Sequence, residues 1–62
     1  MNNNLPQFGI GDIVSFADIE AVVLQNFDTD IYVKIPGEGF CKWRKVFEGE
    51  TVKLVKRGNN GK

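Results

Sequence analysis

The residues best suited to chemistry in this chain are three bases around one aromatic residue, in the run Lys42-Trp43-Arg44-Lys45. Basic side chains bind carboxylates and phosphates, and an aromatic ring beside them can stack on the ligand. Trp and Arg are also frequent anchors of protein–protein interfaces. The run therefore predicts a binding surface for an acidic partner.

Catalysis is not expected, because the chain has no histidine, the usual acid–base residue near neutral pH. Cys41, the only cysteine, is predicted to be a small buried apolar residue rather than a reactive thiol. Asp28 and Asp30 are the closest pair of carboxylates, but the closing Glu of a calcium loop does not follow them. A capped turn is predicted there, so we expect no catalytic residue, no metal site and no cofactor.

The length of 62 residues limits what the chain can build. A domain of this size buries about 60% of the surface that its unfolded chain exposes, so one domain without a large cleft is expected. A hydrophobic fraction of 42% and a charged fraction of 26% are typical of folded proteins. No apolar run approaches the roughly 20 residues that span a bilayer, and residues 1–6 lack the features of a secretory signal. We therefore expect a single cytoplasmic domain without membrane contact.

The formal net charge of zero conceals an uneven distribution of charge along the chain. Residues 1–33 contain five acids and no base, whereas residues 34–62 contain eight bases and three acids. A neutral total argues against a general polyanion coat but leaves room for a local basic face. The alternative is that folding interleaves the two halves into neutral faces.

Short runs rich in β-branched and aromatic residues, interrupted by Gly, Asp and Pro, predict strands and no amphipathic helix. The predicted strands are residues 12–16, 21–27, 31–35, 40–46 and 51–55. Residues 28–30 and 36–39 are predicted to be turns, and residues 47–50 a turn or one helical turn. The strands span about residues 8–57, with residues 1–7 and 58–62 expected to be loose termini.

The alternation of apolar and polar residues assigns side chains to the two faces of the sheet. The residues predicted to point inward are Ile31, Val33, Ile35, Cys41, Trp43, Val52 and Leu54. The residues expected to contact a partner are Tyr32, Lys34, Lys42, Trp43, Arg44, Lys45 and Lys53. The alternative is that the bases only solvate the outer face and that Trp43 is the largest core residue.

Five short strands with tight connections favour a small all-β fold, a five-stranded antiparallel SH3-like barrel. A flat sheet would leave an apolar face and two edges open to association, and closure removes this problem. An OB-fold usually has a helix between its third and fourth strands, and residues 36–39 leave no room for one.

Three segments carry a family resemblance: Gly11-Asp12-Ile13-Val14-Ser15-Phe16, Ala21-Val22-Val23-Leu24 and Val52-Lys53-Leu54-Val55. They resemble the small SH3-like barrels of the Tudor and KOW type. The chain also resembles the short stand-alone barrels of phages and prophages, which act as accessory or host-directed binding proteins. This resemblance implies the host cytoplasm as the location of a phage-encoded protein.

Tudor-type recognition of methylated side chains depends on an aromatic cage. By residue type alone, the resemblance offers Phe16, Tyr32 and Trp43 as candidates for its walls.

Two functions of different classes remain open. The favoured one is a non-enzymatic adaptor or inhibitor that binds another protein through Trp43 and Arg44, with acidic loops available for a basic partner. The alternative is a nucleic-acid-binding barrel of the KOW type. Its phosphate contacts would be Lys42, Arg44, Lys45, Lys53, Lys56 and Arg57. A homo-oligomer is expected as an addition to either function, because so small a core is often supplemented by association.

Overall fold

Seven strands make up the regular structure of residues 5–58, the part of the chain that the computed structural model describes. They are β1 (Ile13–Phe16), β2 (Ile19–Asn26), β3 (Asp30–Ile35), β4 (Gly39–Arg44), β5 (Val46–Phe47), β6 (Glu50–Thr51) and β7 (Lys53–Lys56). The all-β prediction is confirmed. Residues 5–58 include no helix that is long and apolar enough to cross a membrane.

Five of these strands form one antiparallel sheet in the order β4-β3-β2-β1-β7, and β5 and β6 form a separate hairpin. The first four strands follow one another as a meander, and the last strand pairs with the first. Val14 of β1 therefore lies between Ala21 of β2 and Leu54 of β7. The five antiparallel strands are confirmed, but no strand pairing within the described residues joins β4 to β7 into a closed barrel.

The β3–β4 turn follows directly from its residue types. The Glu38 N–H donates to the Ile35 carbonyl at 2.8 Å, and Gly37 has a φ of 84°. Pro at the second position and a residue with positive φ at the third are the pattern of a type II turn, and Pro36-Gly37 provides it. The turn predicted at residues 36–39 is confirmed.

Two other hairpins turn through pairs of residues with positive φ. Ala17 and Asp18 connect β1 to β2 with φ values of 53° and 66°, and Glu48 and Gly49 connect β5 to β6 with values of 53° and 81°. Two-residue turns of this hand match the twist of the strands that they join. The connection at residues 47–50 is thus a β-turn, not a turn of helix.

The core lies on one face of the sheet. Its buried apolar residues are Phe8, Val14, Ala21, Val23, Ile31, Val33 and Val52. Ile35, Cys41 and Trp43 are partly buried and pack against this cluster, as predicted. Leu54 is a correction: it pairs with Val14 but stays 41% exposed, because β7 is an edge strand with no neighbour on its far side.

The predicted strands 40–46 and 51–55 are divided differently in the structure. β4 ends at Arg44 because the backbone of Lys45 turns to other partners. Its N–H donates to the Thr29 carbonyl and its own carbonyl accepts from the Val52 N–H, both at 2.9 Å. Val46 therefore belongs to β5, and Val52 separates β6 from β7.

Asp12 joins the two ends of the described chain. Its buried carboxylate accepts hydrogen bonds from the N–H of Gly9 at 2.8 Å, from the N–H of Gly58 at 2.5 Å and from the Arg57 guanidinium at 3.3 Å. Burial by itself raises the pKa of Asp12, but these two N–H groups and Arg57 bring that pKa below its ordinary value.

The prediction of loose termini falls partly outside the described residues, since residues 1–4 and 59–62 are not among them. Where the chain is described, its ends are bonded to the sheet. The Gln7 side chain accepts from the Asn26 amide at 3.0 Å, and Gly58 is held by Asp12.

Candidate binding surface

A stacked pair of exposed aromatic rings lies on the outer face of β3 and β4. The ring centroids of Tyr32 and Phe40 are 6.3 Å apart, with 16° between the ring planes. The Lys34 Nζ lies 5.8 Å from the Phe40 centroid, within the range of a cation–π contact. Phe40 is 61% exposed although it is a large apolar residue. Covering these rings would remove apolar surface from water.

The strand register brings three cations to the same face. Tyr32 lies opposite Lys42, Lys34 lies opposite Phe40, and Arg44 follows two residues after Lys42. All three cations are exposed. Within residues 5–58 the only ion pair joins Arg57 to Asp12, so Lys34, Lys42 and Arg44 have no acidic side chain within ion-pair distance.

A second group of aromatic rings lines a cavity of about 500 Å³. The Phe16 centroid lies 6.2 Å from that of Trp43 and 6.4 Å from that of Phe47. Lys42 and Arg44 complete the lining. Trp43 is therefore both a core residue and a cavity wall, since it packs against the buried cluster and also faces this open space.

The stacked pair and the cavity lie on opposite faces of β4 and meet at Lys42, which lies opposite Tyr32 and also lines the cavity with Arg44. We call the two together the basic aromatic surface, and its residues are Phe16, Tyr32, Lys34, Phe40, Lys42, Trp43, Arg44 and Phe47. Five of the predicted contact residues lie on it: Tyr32, Lys34, Lys42, Trp43 and Arg44.

Sequence reasoning missed the roles of Phe40 and Phe47. With Cys41 and Trp43 inward, the alternation already assigns Phe40 to the outer face beside Lys42 and Arg44, but Phe40 was not among the predicted contact residues. Phe47 gave no such signal, since residues 47–50 were predicted to be a turn.

The aromatic cage does not form from the three residues that the resemblance suggested. Phe16 and Trp43 are neighbours, but Tyr32 stacks on Phe40 and Phe47 takes the third place in the cavity. The two cations in the lining repel a methylated ammonium group, so the cavity suits a neutral or acidic ligand.

Lys45 is a correction to the predicted contact set. Its side chain is 0% exposed, and its Nζ lies 5.9 Å from the Phe8 centroid without a hydrogen-bond partner. Burial lowers the pKa of Lys45, and the nearby carboxylates of Asp28 and Asp30 raise it only in part. The side chain points inward because the Lys45 backbone leaves β4, which interrupts the alternation of that strand.

Lys53 lies outside the basic aromatic surface. It is exposed on β7 opposite Ser15, and β1 and β2 separate it from β3 in the sheet order. Its contact with a partner stays a prediction. Lys56 lies on the same edge strand, and Arg57 is engaged by Asp12.

The sequence drew attention to two places for metal or thiol chemistry, the acids of residues 28–30 and Cys41. Residues 27–29 connect β2 to β3, so the turn predicted at residues 28–30 is present but Asp30 already belongs to β3. The Phe27 N–H donates to the Asp30 carbonyl at 2.9 Å. Among the described residues no three Asp, Glu, Cys or His side chains converge as metal ligands would. Cys41 is a free, half-buried thiol.

No protein-family model matches the chain, and neither a curated protein nor a solved structure matches it. The function therefore has to be argued from the surface itself.

Proposed function

We propose that the chain is a non-enzymatic binding domain of the SH3-like barrel type, which holds an acidic segment of a partner protein on the basic aromatic surface. An adaptor or an inhibitor needs no more than such a surface. The bond from the Val52 N–H to the Lys45 carbonyl supports the barrel assignment, because it joins the residue after β4 to the residue before β7, and these two strands are the edges of the sheet.

The proposal rests on the exposure of basic and aromatic side chains side by side on this surface. Lys34, Lys42 and Arg44 form no ion pair with any residue that the structure describes, although Asp30 lies opposite Arg44, and Phe40 and Phe47 are 61% and 51% exposed beside them. Exposed apolar residues in a group, together with cations, are typical of an interface. Fully covering one large apolar side chain contributes about 1.5–3 kcal/mol.

The arrangement defines the chemistry of the segment that fits. Arg44 offers a planar pair of donors to a carboxylate, and Lys42 offers a point charge beside it. The cavity between Trp43 and Phe47 accepts an apolar or aromatic side chain. A suitable segment therefore carries one apolar anchor flanked by Asp or Glu.

Single-stranded nucleic acid is the second candidate, and the stacked rings of Tyr32 and Phe40 are the observation that favours it. The phosphate contacts available are few, because among the described residues this surface holds only the cations of Lys34, Lys42 and Arg44. Three contacts give a salt slope of about −2 for a single strand, which is shallow for a nucleic-acid binder. We therefore place the protein partner first.

The sole tryptophan provides a direct test, since Trp43 lines the cavity. Its fluorescence should change on titration with a peptide that carries one Phe between acidic residues. A peptide with Lys in place of the acids is the matched control and should cause no change. Arg44→Ala should weaken binding of the acidic peptide about tenfold, the effect of losing roughly 1.4 kcal/mol from a charge-assisted contact.

Two variants with the same net charge distinguish binding at this surface from general electrostatic attraction. Lys53→Ala removes one exposed cation from β7 and should leave peptide affinity unchanged. Equal losses in Arg44→Ala and Lys53→Ala would contradict the assignment of the site.

Oligonucleotides of about 12 residues distinguish the second candidate. Binding of a single strand at low salt, lost in Tyr32→Ala and stronger than binding of the acidic peptide, would replace the protein partner by nucleic acid. Affinity capture from a lysate with and without nuclease then identifies the natural partner in either case.

A further inference from the structure

A groove of about 590 Å³ with an apolar floor and an acidic rim lies between the β1–β2 turn and the β3–β4 turn. Its lining consists of Asp18, Ile19, Glu20, Ile35, Pro36 and Glu38. Ile19 is 46% exposed in it. The three acids take part in no ion pair among the described residues, in which only Arg57 and Asp12 are paired. The groove thus combines apolar and charged side chains, as the basic aromatic surface does, but its charge is negative.

The groove and the basic aromatic surface adjoin where Phe16 lies opposite Ile19, but the Arg44 end of that surface is far from the acids of the groove. In the β3–β4 hairpin, Ile35 pairs with Gly39 beside the groove, whereas Asp30 pairs with Arg44 at the other end. Five residues of strand separate the two pairs, which corresponds to about 17 Å. Salt-bridge contact requires about 4 Å, so Arg44 and Glu38 of one chain do not reach each other.

We propose that the acidic groove receives the basic aromatic surface of a second copy of this chain. Glu20 and Glu38 of one copy then face Lys42 and Arg44 of the next, and Ile19 covers the exposed Phe47. Charge complementarity favours a second copy as the occupant of the groove, since each copy carries both the acidic groove and the basic aromatic surface. A net charge of zero places no general repulsion between copies.

Each copy contributes two different surfaces to this association. A two-fold dimer in which both groove contacts form at once closes the assembly, whereas a head-to-tail contact leaves one groove and one basic aromatic surface free at the ends of every chain of copies. The inference rests on the surface of the proposed function but not on its partner. An acidic partner segment and the groove of another copy compete for the same cations, so the partner disperses the assembly.

Sedimentation velocity of the full chain across a range of concentrations tests the assembly. We expect a sedimentation coefficient that rises with concentration at 50 mM salt and falls toward that of the monomer at 500 mM, because screening weakens exposed charge pairs. A monomer at all concentrations and both salt conditions overturns the proposal.

Charge reversal at each end identifies the surfaces. Glu20→Lys with Glu38→Lys, and separately Lys42→Glu with Arg44→Glu, should each weaken self-association at least about tenfold, because like charges then face each other. Lys53→Glu with Lys56→Glu is the matched control on β7, because it has the same net charge as Lys42→Glu with Arg44→Glu, and it should weaken self-association far less.

Mixing the two reversed variants makes the test independent of any loss of folding. Each variant alone is monomeric, and the mixture should associate again, because every interface then has one acidic and one basic member. Absence of association in the mixture overturns the proposal, as does a control variant that dissociates equally.

The groove variant also separates this inference from the proposed function. Glu20→Lys with Glu38→Lys keeps the basic aromatic surface and should bind the acidic peptide at least as tightly as the original chain. Monomeric original protein that still binds the peptide overturns the self-association alone. Self-association without peptide binding overturns the proposed function alone.

Discussion

Asp12 and the cations of β4 represent two opposite uses of charge in one small domain. Asp12 is 1% exposed, and three donors surround its carboxylate. Lys42 and Arg44 are exposed and form no ion pair within residues 5–58. The buried charge is saturated by its own chain, while the exposed charges are left for something outside it.

The difference teaches where stability and binding reside in this molecule. A buried carboxylate is tolerated only when hydrogen bonds and a countercharge replace water, so Asp12 must be structural. Exposed cations remain hydrated and contribute little to folding, so their arrangement is free to serve binding. Lys45 belongs to neither group, because it is buried without a hydrogen-bond partner.

Removal of the Asp12 carboxylate should have the largest effect. Asp12→Ala leaves the buried N–H groups of Gly9 and Gly58 without an acceptor, at a cost of about 3 kcal/mol. Since a core of this size supplies only about 3–5 kcal/mol, the variant should be largely unfolded at 25 °C. Circular dichroism with urea titration measures this. Arg57→Ala removes only the exposed ion-pair partner and should cost less than about 1 kcal/mol.

The same carboxylate should make stability depend on acid pH. The pKa of Asp12 in the folded state is below its ordinary value of 3.8, so its contribution is complete above that value. The contribution is lost as the pH falls through the lower, folded-state pKa, because the unfolded chain binds the proton more tightly. Urea titrations at pH 7 and at pH 3 should therefore show a larger decrease for the original chain than for Asp12→Asn. An equal decrease in both would contradict this assignment.

Gly58→Ala is expected to have the next largest effect. A Cβ at residue 58 would lie 2.5 Å from the Gly11 carbonyl carbon and 2.8 Å from the Asp12 backbone nitrogen. Backbone atoms cannot give way as a flexible side chain can, so we expect a loss of about 1–3 kcal/mol. Gly9→Ala is the matched control, because its Cβ makes ordinary contact at 3.7 Å with the Asp12 side chain. Similar unfolding midpoints for the two variants would refute the close approach.

Lys45→Met should stabilise the fold. The change replaces a buried, unpartnered ammonium with an apolar side chain of similar length and leaves the carboxylates of Asp28 and Asp30 to water. We expect a gain of about 1 kcal/mol at pH 7, where the cost of burying the charge is present. The gain should shrink as the pH rises past the folded-state pKa of Lys45, since the original side chain is then neutral. A lower urea midpoint for the variant would show that Lys45 is satisfied in solution.

The smallest effect on stability is expected for Lys42→Ala with Arg44→Ala. Both side chains are exposed and lack an ion pair, so unfolding free energy should change by less than about 0.5 kcal/mol while peptide binding is lost. Urea titration and Trp43 fluorescence measure the two properties on one sample. A large loss of stability in this double variant would show that these cations, like Asp12, contribute to folding.

Local rules were sufficient for several elements of the fold. The alternation from Ile31 to Lys34 correctly placed side chains inward and outward, because successive residues of a strand face opposite sides. Pro36-Gly37 correctly predicted a turn, because their allowed φ values match it. The same alternation placed Tyr32, Lys34 and the exposed bases of β4 on the outer face.

Position in the tertiary structure decided the remainder. The inward course of Lys45 depends on bonds to Thr29 and Val52, and neither bond is encoded in the alternation around it. Asp12 meets Gly58 only because β7 pairs with β1, although 45 residues separate them in sequence. The cavity beside Trp43 likewise depends on Phe16, which belongs to β1, and on Phe47, which belongs to the separate β5–β6 hairpin.

The amino-acid sequence by itself determined that the chain is all-β, where its first three strands lie and which residues of β3 face outward. These properties follow from the preferences and alternation of neighbouring residues. Only the tertiary structure decided which charges are buried, which are paired and which remain exposed together. Those properties depend on strand order and on contacts between distant residues, which govern desolvation and therefore the role of each charge.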